Sequence, residues 1–237
     1  MTKTHIILII IALILGAIFA GYYFTTRNMN HKIKGQQIGD SIKLPEPKHN
    51  SATSIEQALL NRRSVREYKN TPISLAELSQ LLWAAQGVSD AKSNYRTTPS
   101  AGGLYPLETY VAIINVLDVE PGVYKYIPYK HELQKIKDGK VNRELATSAL
   151  DQKWVRDGAV IIAITGVYER TTQKYGDRGV RYVHMEAGHA AQNIYLQVVS
   201  LNLGTVVVGA FDDAEIQKIL GIAENEWPLY LIPIGKR

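Results

Sequence analysis

Apolar positions recur along most of this chain at two spacings, every three to four residues and every second residue. One stretch near the start shows neither. Ile6 to Phe24 runs for 19 residues without a charge. At helical rise it spans about 28 Å, close to the ~30 Å hydrocarbon core of a bilayer. Tyr22 and Tyr23 close the run where interfacial aromatics sit. The pattern predicts a single-pass transmembrane helix within residues 1–24. A cleaved signal segment is the competing reading, because Ala17-Ile18-Phe19-Ala20 is a loose small-residue cleavage pattern. Residues 25–52 are polar, carry Gly35, Gly39, Pro45 and Pro47, and read as a juxtamembrane tether.

From Thr53 to Arg237 the pattern is that of a globular domain. Thr53 with Glu56 and Ser54 with Gln57 are overlapping capping boxes, followed by Ile55, Ala58 and Leu59 on one helical face ending near Arg62. Ser74-Leu75-Ala76-Glu77 opens a second helix. Leu75, Leu78, Leu81, Leu82 and Ala85 form its stripe, and Gly87 stops it. Glu108–Ile114 reads as a strand, and Val123–Tyr126 with Leu133–Ile136 as a hairpin around Pro128. A helix is expected over Val141–Trp154, and a buried strand over Ala159–Thr165. Val180, Val183, Ala187, Ala190, Ile194 and Leu201 mark a long helix from Arg178 to Leu203. A strand over Thr205–Val208, a helix from Asp212 to Leu220 and a strand over Leu229–Ile234 complete the chain. The irregular alternation predicts an α+β fold, a mixed sheet flanked by helices.

Charge changes this picture in one respect. The net charge of +5 divides into +4 over residues 1–50 and +1 over the rest. The basicity belongs to the tether, which suits anionic lipid headgroups and argues against a nucleic-acid partner. The tether side of the apolar run is slightly richer in Lys and Arg, which favours a cytoplasmic domain. The chain has no Cys, so disulfides, thiolate chemistry and Cys-ligated metals are excluded.

Two segments carry candidate chemistry. Arg62-Arg63-Ser64-Val65-Arg66 packs three guanidiniums and a hydroxyl into five residues. The planar, permanently charged fork of arginine suits a phosphate, although a solvated helix end would also use these residues. Pro99-Ser100-Ala101-Gly102-Gly103 is a small-residue loop where backbone can approach a flat ring, or a simple turn. Val208-Gly209-Ala210 forms a small-residue corner after a strand, and Lys236-Arg237 adds two cations after the last one. A GxGxxG fingerprint, a Walker A loop and a nucleophile elbow are all missing. His184 and His189 lie about 140° apart on a helix, so with Glu186 they do not form a His-Glu-x-x-His metal site.

In order along the chain, RRSVREY, TPSAGGLYPLETYV, GVYKYIPYKHEL, YGDRGVRYVHMEAGHAAQNIYLQ and LGTVVVGAF resemble successive blocks of the nitroreductase family of FMN-dependent oxidoreductases. The SAGGLYP and YKY…HEL segments are most similar to its thiazoline/oxazoline dehydrogenase-like branch. The resemblance covers residues 54–237 and implies a homodimer with FMN bound at the subunit interface. NADH or NADPH would be co-substrate, and a small electron-poor molecule such as a nitroaromatic or quinone the acceptor. Dehydrogenation of a small or peptide substrate and a non-catalytic flavin-binding module are the alternatives. By position, Arg62, Arg63, Ser64 and Arg66 match the phosphate motif. Pro99, Ser100, Ala101 and Gly102 match the loop against the isoalloxazine, and Val208, Gly209 and Ala210 the strand end near its N5. Lys236 and Arg237 match a second phosphate contact. Lys174-Tyr175 resembles a Lys-Tyr pair implicated in azoline oxidation, and reads equally as a capped loop.

Overall fold

The structure is a computed structural model that describes residues 41–237. The predicted transmembrane segment lies outside them. Among the described residues no helix is long and apolar enough to cross a membrane.

The sheet recruits residues from a segment that the pattern assigned to the tether. Ser41–Lys43 (β1) already pairs with the fold, against Glu132–Gln134. Leu44 behind it is buried, and the Gln80 side chain bonds both the N–H and the C=O of Lys48. Residues 41–48 of the expected tether are therefore part of the domain. Ile55–Asn61 (α1) and Leu75–Gln86 (α2) start where their capping boxes predict, at Ser54 with Gln57 and at Ser74 with Glu77. A short hairpin of Val88–Asp90 (β2) and Tyr95–Arg96 (β3) follows, unforeseen because each strand is too short for a period. Next come Leu107–Ile113 (β4), Gly122–Ile127 (β5) and Glu132–Asp138 (β6).

The helix expected over Val141–Trp154 is two helices, Asn142–Ser148 (α3) and Lys153–Asp157 (α4). They are separated where Leu150 and Asp151 take left-handed backbone, φ +58° and +54°, which no helix continues through. Val160–Gly166 (β7) leads into Glu169–Tyr175 (α5) and Arg178–Ser200 (α6). Leu203–Thr205 (β8), Asp213–Leu220 (α7) and Trp227–Lys236 (β9) close the chain.

The sheet runs β1-β6-β5-β4-β7-β9-β8, and every ladder in it is antiparallel. This corrects the expected mixed sheet. The apolar runs of β4 and β7 resembled parallel strands because helices cover both faces. Val111, Ile113, Ile162 and Ile164 pack with α2 and α6, while Tyr110, Ala112, Ile161 and Ala163 pack with α3, α4 and α7. Alternation is invisible when both sides are dry.

Candidate active site

Arg62 ends α1, its N–H reaching Ala58 O. The chain then extends beside β8, where Val65 N–H donates to Thr205 O at 2.8 Å. Two glycines make room for this crossing. A β-carbon on Gly204 would stand 2.7 Å from Val65 Cγ1, and one on Gly235 would stand 2.7 Å from Tyr68 Cβ. The Tyr68 hydroxyl donates to Val65 O and Pro233 O, pinning the segment to the sheet.

The side chains then diverge. The Arg62 guanidinium lies over the ring of Tyr195 on α6, 5.1 Å from its centroid, and Ser64 Oγ is 3.1 Å from the Tyr195 hydroxyl. Arg66 lies over Trp154 on α4 at 5.4 Å. Arg63 turns back, donating to Leu60 O and Arg62 O at the end of α1. Among the described residues none of these three guanidiniums meets a carboxylate within 4.0 Å. Stacking holds Arg62 and Arg66 by their faces and leaves edge N–H donors available, which fits an anion.

Tyr195 also organises the strand end. Past Thr205 the chain leaves the β9 ladder for two residues before Val208 pairs with Leu231. In that gap Val207 N–H donates to Tyr195 Oη at 3.0 Å. Val208 is buried, whereas Gly209 and Ala210 are exposed. Ala210 O accepts from the Gln152 side chain beside α4. Arg62, Ser64 and Val207 thus gather at Tyr195, while Arg66 lies at Trp154 and Ala210 at the neighbouring Gln152. Sequence reading missed both aromatics, because a tyrosine or tryptophan in an amphipathic helix looks like packing. Lys236 is engaged elsewhere, ion-paired with Glu77. Burial pushes the Glu77 carboxyl up, but hydrogen bonds from Lys236 and Ser74 outweigh it and hold it below the usual carboxylate range. Arg237 is exposed.

The 99–103 loop forms a second cluster. Thr98 Oγ1 donates to Ala85 O, and the Asn193 amide donates to Ala84 O, Thr97 O and Thr98 Oγ1, anchoring the approach. Pro99 is exposed. The buried Glu186 of α6 accepts the Ala101 N–H at 2.8 Å. Burial raises its carboxyl above the usual range, and the bonds from Ala101 and Ser100 with the nearby His189 offset this only in part. Gly102 has φ +64°, and a β-carbon there would stand 2.8 Å from both Lys174 Nζ and Tyr175 Oη. The structure therefore brings the Lys174-Tyr175 pair to the loop. Glu186 faces the loop and His184 faces the Tyr168 hydroxyl at 2.6 Å.

The two clusters are carried by different faces of α6. Tyr195 and Glu186 are nine residues apart on α6, which is two and a half turns, so they face opposite sides about 13 Å apart along the axis. A cavity of about 650 Å³ lies elsewhere, between residues 48–58 and the C-terminal half of α6, with Ile55, Trp83 and Gln197 among its walls. None of the expected site residues lines it.

An antiparallel sheet covered by helices on both faces, with a long helix against it and a glycine loop beside a lysine, defines the class as α+β. Residues 59–236 match the nitroreductase family, and the chain belongs to it. A Methanocaldococcus jannaschii protein described as a nitroreductase is 50% identical over 84% of this chain and 99% of its own length. The microcin B17-processing protein of Escherichia coli is 26% identical over 65% of this chain and 58% of its own length, in line with the resemblance to the dehydrogenase-like branch. Among solved structures, an Anabaena variabilis protein described as a nitroreductase superposes with a TM-score of 0.74. It is 31% identical over 84% of this chain and 42% of that one.

Proposed function

We propose that this protein is a homodimeric, FMN-dependent oxidoreductase that takes hydride from NADH or NADPH and passes it to an electron-poor acceptor such as a nitroaromatic or quinone. One observation carries the reading. Among the described residues the Arg62 and Arg66 guanidiniums lack carboxylate partners and lie across α6 from the glycine loop, an arrangement in which a second chain would complete a site from both halves. The exposed Ile55, Leu59 and Leu60 of α1 support such a contact.

Arg62 and Arg66 hold the phosphate through their free edges, each charge-assisted bond being worth roughly 1.5–3 kcal/mol. Ser64 and the 207–210 backbone bind beside them, and the partner's loop covers the ring. FMN, when bound, supplies the hydride chemistry itself. Lys174 Nζ, at Gly102, places positive charge next to that loop and stabilises negative charge developing there.

The same placement favours a second reading, dehydrogenation of a small or peptide substrate, in which Tyr175 or Lys174 in its deprotonated form would take the substrate proton, FMN would accept the hydride, and oxygen or another acceptor would reoxidise the flavin. The N-terminal run, as an anchor, would hold the domain at a membrane, with the domain on the cytoplasmic face.

The test is purification of the full-length protein in detergent, followed by anaerobic addition of each nucleotide. A yellow dimer bleached by NADH or NADPH is expected. A yellow dimer that neither nucleotide bleaches shifts the assignment to the dehydrogenase or to a flavin-binding module. A colourless monomer indifferent to added FMN overturns both enzyme readings.

A further inference from the structure

Tyr105 ends the glycine loop in a backbone conformation that aromatic residues rarely adopt, φ +47°. Such a residue persists only where its surroundings over-determine it. Its N–H donates to Ser100 Oγ at 2.8 Å. Its hydroxyl accepts the Arg96 N–H at 3.3 Å, and its ring lies 4.6 Å from the Arg96 guanidinium. Its carbonyl accepts Arg170 Nη1 at 3.0 Å.

Arg170 has a second partner. Its Nη2 is ion-paired with Glu108 on β4. Glu108 is itself fixed by Lys125 at 3.3 Å, and Lys125 by the buried Glu226 at 3.1 Å. Arg170 and Lys174 are four residues apart on α5 and share a face. The loop therefore follows that face, with Gly102 against Lys174 and Tyr105 against Arg170. One planar fork serves two acceptors from different elements, the strand carboxylate and the loop carbonyl, which a single ammonium matches poorly.

We propose that Arg170 is a positioning residue: it locks the strained end of the 99–105 loop to α5, so that Gly102, Lys174 and Tyr175 keep one fixed relation. Its importance for chemistry rests on the reading that this loop faces a flavin. Lys174 and Tyr175 act at that face, and Arg170 acts only through them and the loop.

Amide hydrogen exchange on the full-length protein tests this, followed in peptides covering 100–106 and 169–175. Arg170→Met should exchange about tenfold faster than wild type in both peptides, the loss expected for one charge-assisted bond. Arg170→Lys keeps the pair with Glu108, so it should protect 169–175 and leave 100–106 fast. The visible spectrum of bound flavin should shift in both variants while FMN stays bound through the phosphate contacts. Loop exchange within twofold of wild type in Arg170→Met overturns the proposal, and so does full protection of both peptides in Arg170→Lys. If the methionine variant does not fold, the lysine variant decides alone. A wild-type protein that never binds flavin removes the cofactor reading and leaves the exchange comparison intact.

Discussion

Gly204→Ala tests whether the phosphate segment owes its place to a glycine in β8. The new methyl would stand 2.7 Å from Val65 Cγ1 and 3.1 Å from Val65 Cβ, closer than carbon atoms sit in packed proteins. One side must give way. β8 is held by its ladder to β9 over Leu203–Thr205, whereas Val65 is held only by its backbone bond to Thr205 and by the Tyr68 hydroxyl on its carbonyl. The segment therefore moves, taking Arg62, Ser64 and Arg66 with it. Overpacking of this kind costs about 1–3 kcal/mol. For a domain of roughly 200 residues that lowers Tm on the order of 2–10 °C. If one charge-assisted phosphate contact is lost, FMN affinity falls roughly ten- to a hundredfold. Fluorescence titration of FMN and a melting curve measure the two effects. Val65→Ala in the same chain removes the clashing Cγ atoms and should restore most of the affinity, though not all of the stability. A Gly204→Ala protein that melts lower yet binds FMN as wild type would refute the reasoning, as would a double variant that binds no better than the single one.

Arg62→Ala should weaken FMN retention by roughly one to two decades, from the loss of one charge-assisted contact; unchanged affinity in the same titration removes Arg62 from the phosphate site. Glu186→Gln should raise Tm at pH 7. Burial raises the Glu186 pKa in the folded state, so its ionised form costs stability above the unfolded value of about 4.3 and costs none below it. The advantage of the glutamine should shrink as pH falls toward 4, and an equal Tm difference at both pH values contradicts the assignment. Leu59→Asp, on the exposed face of α1, should give a folded monomer by light scattering with little bound FMN. A stable dimer would place the interface elsewhere.

Element positions were largely legible because the local signals are strong. Ser54 with Gln57 and Ser74 with Glu77 cap helices where the spacing says they should, and Val183, Ala187, Ala190 and Ile194 are buried as their period requires, whereas Val180 is exposed and Leu201 half-buried at the ends of the stripe. Strand direction was not legible, because β4 and β7 are covered on both faces and carry no alternation to read. The break at Leu150 and Asp151 was hidden as well, since leucine is rare in left-handed backbone and a lone aspartate, though it tolerates that region, also sits in ordinary helices. Among the candidate residues, Arg62, Arg66 and Gly102 stand out in the sequence by type. Tyr195 and Trp154 do not, because their roles depend on what crosses above them.

The sequence by itself determined which residues could bind an anion and approach a ring, and which family they belong to. Residue chemistry and local spacing are properties of the chain, readable without contacts. Only the tertiary structure decided how those residues group. It stacked Arg62 on Tyr195 and Arg66 on Trp154, committed Lys236 to Glu77, and brought Lys174 and Tyr175 to Gly102 from more than seventy positions away. It also set the phosphate segment and the glycine loop on opposite sides of α6. The reason is geometric. Nine residues make two and a half helical turns, so the two groups fall on opposite sides of one helix, a relation that appears only once the helix is packed between its neighbours.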